Sequence, residues 1–231
     1  MQGKLVVFEG GEGGGKSTQL ARLKDWLMDS PWRQQLQKQV SKPWVVTTRE
    51  PGGTALGGRL RAMLLEAQTP TEPAITDQAE LLLYAADRAQ HVAEFMRPHL
   101  EQGRLVLCDR YTASTLAYQG YGRGIDLDLI HQLNHIATAG LRGDLTLWLD
   151  MDVTAGLNRV RDRSANQAFD RMESGEIAFH ERIRAGFRDI AAQEPDSTVK
   201  IDAAQEPDTV AVQIQAVMAE RLQQWHPLTQ N

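Results

Sequence analysis

Eight consecutive residues carry the strongest chemical signal in the chain. Gly10, Gly11, Glu12, Gly13, Gly14, Gly15, Lys16 and Ser17 match the phosphate-binding pattern G-x-x-x-x-G-K-[ST]. Glycines let backbone N–H groups converge on phosphate oxygens without side-chain obstruction. A helix opening at Ser17 aims its free N–H groups and its positive dipole end at the same oxygens. Lys16 supplies a mobile charge for the β- and γ-phosphates, and Ser17 is placed to ligate Mg²⁺. At ordinary glycine usage, a chance match in a chain of this length arises on the order of once in a hundred sequences. Here the match also lies between an apolar strand and a helical pattern. The reading is a nucleoside triphosphate site spanning Gly10 to Thr18.

The class of P-loop protein is narrowed by what accompanies the loop. No Asp is followed three residues later by Gly, and no N-K-x-D occurs, so the elements of a GTPase switch are missing. A second anion site is suggested by Asp109-Arg110-Tyr111, which closes an apolar run. An Asp there can hold the hydration shell of Mg²⁺, and Arg110 can face an anionic acceptor. Ser114 to Gly120 then concentrates hydroxyls, an aromatic ring and an amide, the groups that stack and hydrogen-bond a base. Tyr84 and Arg88 are spaced i, i+4 on one helix face, where a ring and a guanidinium could read a nucleobase together. Arg159 and Arg163 share another helix face at the same spacing, with Arg161 between them.

These groups need a scaffold. Short continuous apolar runs at Leu5–Phe8, Trp44–Thr48, Leu105–Cys108, Leu145–Leu149 and Val199–Ile201 alternate with helical patterns. That alternation predicts an α/β fold with a five-stranded parallel sheet covered by helices on both faces. Ligands bind outside the carboxyl ends of such strands, where the unusual polar residues cluster. A helix is expected over Thr76–Leu100, kinked or restarted at Pro98. The Gln-rich stretch 29–43, flanked by Pro31 and Pro43, is expected to be a surface insertion without bearing on chemistry. The 231 residues read as a single domain.

Composition bounds the partners. Apolar residues are 42% and charged residues 24%, as in a globular protein. A net charge of −5 argues against general nucleic-acid binding. Arginine dominates the basic set, and its planar fork pairs two phosphate oxygens at once. The lone Cys108 excludes an intramolecular disulfide and a Cys-rich zinc site. No apolar run approaches the roughly 20 residues of a membrane span, and a cytoplasmic location is expected.

Taken in order, the strings Phe8-Glu9-Gly10 to Thr18, Thr48-Arg49-Glu50-Pro51-Gly52-Gly53-Thr54, Tyr84 to His91 and Asp109-Arg110-Tyr111 through Gln119-Gly120 resemble the thymidylate kinase family over nearly the whole chain. The resemblance implies ATP-dependent phosphorylation of dTMP to dTDP with Mg²⁺, on a P-loop NTPase fold with a mobile lid over about 159–171. It implies that Arg49 and Arg110 grip the 5′-phosphate of dTMP. Arg88 would hydrogen-bond the thymine ring, helped by Ser114 and Gln119, and Tyr84, where Phe is common, would stack on it. Glu12 would approach the deoxyribose 3′-hydroxyl, and Tyr118 would crowd the 2′ position. Ser17 and Asp109 would serve the metal. Gly13 and the arginines from 159 to 163 match the bacterial branch, in which the lid supplies the arginine that other members carry in the P-loop. Arg159 and Arg163 are the lid candidates, and which of Arg159, Arg161 or Arg163 reaches the phosphates is left open. Dimerisation follows from the family alone, with helix 76–100 a candidate interface. Two other readings remain: a kinase of another mononucleotide or deoxynucleoside, and a non-catalytic nucleotide-binding regulator.

Overall fold

A computed structural model describes residues 2–40, 42–65, 74–163 and 176–228. The lid segment from 164 to 171 lies outside these residues, as does the side chain of Arg163. In chain order the elements begin with β1 (Lys4–Glu9), α1 (Lys16–Asp29), α2 (Trp32–Gln39), β2 (Val45–Arg49) and α3 (Ala55–Leu65). Then come α4 (Asp77–His91), a π-helical turn (Val92–Met96), α5 (Arg97–Glu101) and β3 (Leu105–Asp109). They are followed by α6 (Thr112–Thr115), a second π-helical stretch (Leu116–Gly122), α7 (Leu127–Thr138) and β4 (Leu145–Asp150). The described chain closes with α8 (Val153–Arg163), α9 (Ile177–Gln193), β5 (Thr198–Asp202) and α10 (Pro207–Trp225). No helix among the described residues is long and apolar enough to cross a membrane.

The five strands form one parallel sheet in the order β2-β3-β1-β4-β5. The central strands β1, β3 and β4 are apolar over most of their length because both faces are covered, and alternate residues enter opposite cores, while the edge strands β2 and β5 are partly exposed and carry Thr47, Thr48 and Lys200. Val6 and Phe8 of β1 pack in the core that contains Leu20, Leu23 and Leu27 of α1 and Ile214 and Met218 of α10. Leu5 and Val7 point the other way, into a core with Val92 and Met96. The parallel register sets the geometry of the site. Asp109 is paired with Phe8 on one side and with Arg49 on the other. Three strands thus end in one transverse row, and the loops that leave them start side by side.

The helix expected over 76–100 is helical backbone in three parts: α4, the π-helical turn Val92–Met96, and α5, which restarts at Arg97 with Pro98 in its first turn, as the sequence suggested. Its start is capped by Thr76, whose hydroxyl accepts from the Ala79 N–H at 3.3 Å. Such a cap contributes about 1 kcal/mol.

The stretch 29–43 is not a surface elaboration. It contains α2, and Trp32, Leu36 and Val40, four residues apart, are buried in the main core. Trp32 Nε1 also donates to His226 O at 3.1 Å, tying α2 to the chain that leaves α10. The glutamines hid this face because they dominate the composition, while the apolar residues keep a helical period. Replacing Leu36 with Ala is therefore expected to cost about 2–5 kcal/mol in a urea denaturation, as for a core leucine. A loss below about 0.5 kcal/mol would match a surface position instead.

Candidate active site

The row of strand ends opens into one cleft of about 230 Å³. Lys16, Ser17 and Thr18 line it together with Arg49, Tyr84, Arg88, Asp109, Arg110, Ser114, Tyr118 and Gln119. The structure thus brings together residues that the sequence places more than a hundred positions apart, from Lys16 to Gln119.

The P-loop wraps from β1 into α1. Gly15 takes the left-handed conformation before the helix, and the first turn of α1 holds no acidic residue to oppose an anion. Gly13 has φ +71, and a Cβ there would lie 2.1 Å from Gly156 O. Gly156 is equally constrained, since its own Cβ would lie 2.4 Å from Glu12 O. The loop and α8 therefore touch backbone to backbone. An arginine at position 13 is sterically excluded here, which gives a physical reason for the glycine. Lys16 is 7% exposed, and its Nζ donates to Gly10 O at 3.0 Å and Gly11 O at 2.7 Å. Burial, then the neighbouring Arg110, pull its pKa down to about 8 against the attraction of Glu12, Asp109 and Glu9. Ser17 Oγ donates to Asp109 Oδ2 at 2.5 Å. Two hard oxygen donors side by side at a helix N-terminus suit Mg²⁺, which takes one or two carboxylates and completes its shell with water and phosphate. The described residues contain no cluster of three acidic, histidine or cysteine side chains that would form a cage without substrate.

Arg110 is the hub of the cleft opposite Lys16. Its backbone sits at φ +69, a conformation costly for a non-glycine residue and typical of functional sites. The strain is held by its N–H, which donates to Phe8 O at 2.9 Å. The guanidinium donates to Gly10 O at 3.1 Å, to Ser114 Oγ at 3.3 Å and to Glu12 Oε1 at 2.7 Å. Tyr118 donates its hydroxyl to the same Glu12 oxygen at 2.6 Å, and Arg110 lies over the Tyr118 ring. Burial alone would raise the Glu12 carboxyl, but Arg110, Lys16 and the Tyr118 hydroxyl outweigh it and hold it at about 2. Glu12 stays ionised, and Arg110 stays charged.

Several cleft residues are more committed than their types suggested. Arg88 is 2% exposed. Its Nε donates to Glu50 at 2.8 Å, its Nη1 to Thr115 at 2.8 Å and Asn134 at 2.6 Å, and its Nη2 to Tyr111 O at 2.9 Å. Gln119 gives its amide nitrogen to the buried Glu80 at 2.7 Å. Ser114 Oγ donates to Glu9 at 2.5 Å. Arg49 and Tyr84 line the cleft as expected.

Arg159 does not reach the cleft. It is exposed, and its Nη1 donates to Ala203 O at 3.1 Å, in the connection between β5 and α10. The spacing that paired it with Arg163 is real, but α8 turns that residue toward the neighbouring loop.

Sequence reading missed Glu9 and Arg61. Glu9 is 1% exposed, and its carboxylate accepts from the N–H groups of Tyr111 and Ser114 at 2.8 and 3.2 Å. Burial raises its pKa, partly offset by Ser114 and Arg110. A charged residue at the end of an otherwise apolar strand was the available signal. Arg61 lines the cleft and donates to Pro51 O at 3.1 Å. Nothing in the pattern of α3 set it apart. Asp150, which ends β4 near the P-loop, is bound by Arg184 at 2.7 Å and Lys200 at 2.8 Å, a structural role.

The comparisons agree with this geometry. A family model described as thymidylate kinase matches residues 8–214. The thymidylate kinase of Acaryochloris marina is 55% identical, with 98% of this chain and 100% of the relative covered. That of Cyanothece sp. is 56% identical, with 98% of each covered. The crystal structure of thymidylate kinase from Ehrlichia chaffeensis superposes with a TM-score of 0.72 at 31% identity, covering 95% of this chain and all of the other. With the P-loop, the arginines that line the cleft and the sheet that aligns them, these matches place the chain in the thymidylate kinase family.

Proposed function

We propose that the protein transfers the γ-phosphoryl group of ATP to the 5′-phosphate of dTMP, giving ADP and dTDP on the route to dTTP. The observation that carries this reading is a single cleft lined both by a phosphate loop and by two acceptor-side arginines, Arg49 and Arg110.

Both reactants are anions, so the barrier is dominated by repulsion and alignment, and little covalent chemistry is asked of the protein. The P-loop N–H groups and Lys16 hold the β- and γ-phosphates. Lys16 exchanges its bonds to Gly10 O and Gly11 O for phosphate oxygens. Ser17 and Asp109 would hold Mg²⁺, which supplies charge neutralisation across the phosphates when bound. Arg49 and Arg110 align the acceptor oxygen, which is already ionised at neutral pH and needs no general base. Tyr84 stacks on the thymine and Arg88 hydrogen-bonds it, with Ser114 and Gln119 lining the same pocket. Glu12 meets the sugar 3′-hydroxyl, and Tyr118 excludes a 2′-hydroxyl. The lid arginine in this reading is Arg163, carried by the helix whose Gly156 rests on the P-loop.

A homodimer in the cytoplasm completes the proposal. Leu82 on α4 and Leu129 and Ile136 on α7 are exposed apolar side chains on two helices packed together, a surface a second copy would cover.

A coupled assay across dTMP, dUMP, dCMP, AMP and thymidine is expected to show dTMP as the preferred acceptor. Preference for another acceptor overturns the substrate assignment, and no phosphorylated product from any of them overturns the kinase reading. Lys16→Ala is expected to lose at least about a hundredfold in kcat with an unchanged thermal melt, since it removes a charge aimed at the transferring group. The depressed pKa of Lys16 adds a pH signature. Phosphate contact favours the charged amine, so ATP affinity is highest where Lys16 is already protonated. Affinity is expected to be flat below about pH 7.5 and to fall toward about tenfold per pH unit well above pH 8. A flat titration up to about pH 9.5 would show that Lys16 is not the titrating contact.

A further inference from the structure

Behind the acceptor cleft runs a chain of buried polar groups that ends on Arg88. Arg88 and His91 stand i, i+3 on α4 and so share one face. His91 is fully buried. Its Nε2 lies 2.6 Å from Thr48 Oγ1 and its Nδ1 lies 3.0 Å from Glu50 Oε1. Glu50 spends its other oxygen on Arg88, accepting from Nε at 2.8 Å. The two ring nitrogens of His91 and the two carboxylate oxygens of Glu50 therefore each have one defined partner in the series Thr48–His91–Glu50–Arg88.

The chemistry of the partners sets the imidazole. An ionised carboxylate only accepts, so Nδ1 must carry hydrogen. In the neutral ring Nε2 is then an acceptor, and the Thr48 hydroxyl donates to it. Close packing holds the ring in place: a Cβ on Gly53 would lie 2.4 Å from His91 Nε2. His91 touches no part of the cleft, since it is absent from the cleft lining while Glu50 and Arg88 are present.

The consequence falls on Arg88. A guanidinium has five N–H donors. Four are taken by Glu50, Thr115, Asn134 and Tyr111 O, and one on Nη2 remains for a ligand. Its direction depends on the plane of the guanidinium. That plane is held by these four partners together; Glu50 is the one charged partner among them, and its own terminal torsion is soft unless both oxygens are held. His91 holds the second oxygen.

We propose that His91 is a positioning residue for the acceptor site: by orienting Glu50 it orients the remaining Arg88 N–H toward the base of the nucleoside monophosphate. This rests on the reading of Arg88 as the base contact, so the test must separate the two. Steady-state KM and kcat for dTMP and for ATP would be measured in His91→Leu, His91→Asn, Thr48→Val and Arg88→Ala, with a thermal melt of each. His91→Leu is expected to raise KM for dTMP about tenfold, in the range lost when an orienting partner is removed. KM for ATP should stay within about twofold, because the P-loop does not depend on this chain of contacts. His91→Asn places an amide nitrogen near Nδ1 and is expected to restore most of the dTMP affinity. Thr48→Val, which removes the hold on Nε2 only, should give a smaller rise confined to dTMP, and it decides the matter if His91→Leu does not fold. Unchanged KM for dTMP in the folded His91→Leu or Thr48→Val protein, alongside a raised value in Arg88→Ala, overturns the role of His91 alone. Equal rises for dTMP and ATP in the His91 variants assign His91 to general packing and overturn it as well. Unchanged dTMP affinity in Arg88→Ala overturns the reading of Arg88 as base contact, and with it this inference.

Discussion

Parallel pairing of β2, β3 and β1 places Arg49, Asp109 and Phe8 in one row across the sheet. Everything in the site depends on that register. The loops after these residues start at the same height and on the same edge, so a phosphate loop, an aspartate bonded to Ser17 and two arginines converge without a long excursion of chain. A slip of one residue in β3 would turn Asp109 to the opposite face and break the contact with Ser17. Strands buried on both faces resist such a slip, because each residue already fits one of two cores.

On this frame the site is built from paired charges rather than isolated ones. Glu12 lies between Arg110, Lys16 and the Tyr118 hydroxyl, and Glu50 between Arg88 and His91. A cleft that must accept two anions carries many cations, and these repel one another before substrate arrives. The buried carboxylates hold the cations together in the interim. They also restrict motion, since Arg110 and Arg88 are each fixed by bonds from several elements. Little reorganisation is then required when the ligands bind, which is where electrostatic catalysis gains its advantage. The strained backbone of Arg110 fits the same picture, with the hydrogen bond to Phe8 holding a conformation that local preference opposes.

Much of this was legible in the linear chain. Strands β1 to β5 appear as apolar runs within a residue or two of their bounds, because a buried parallel strand has no polar face to blur the signal. The P-loop was legible because its function rests on backbone geometry that only glycine-rich spacing supplies. The segment 29–43 misled because Trp32, Leu36 and Val40 are diluted among polar residues, and a three-residue stripe carries little weight without the core it enters. Arg159 misled for a different reason. Helical spacing says which residues share a face but not what that face meets, and here it meets the Ala203 carbonyl.

The sequence by itself determined the donor loop, the alternation of strands and helices, and the residue types at each strand end, since these follow from local spacing and hydrophobic period. Tertiary structure alone decided who is paired with whom. Arg88 reads as a free hand on a helix and is in fact held by Glu50, Thr115, Asn134 and Tyr111, residues 23 to 46 positions away. His91 carried no local signal, and Glu9 only that of a charge closing an apolar strand, because a buried polar group is defined by the partners that satisfy it. Those partners come from other strands and helices, and only the packed sheet brings them within bonding distance.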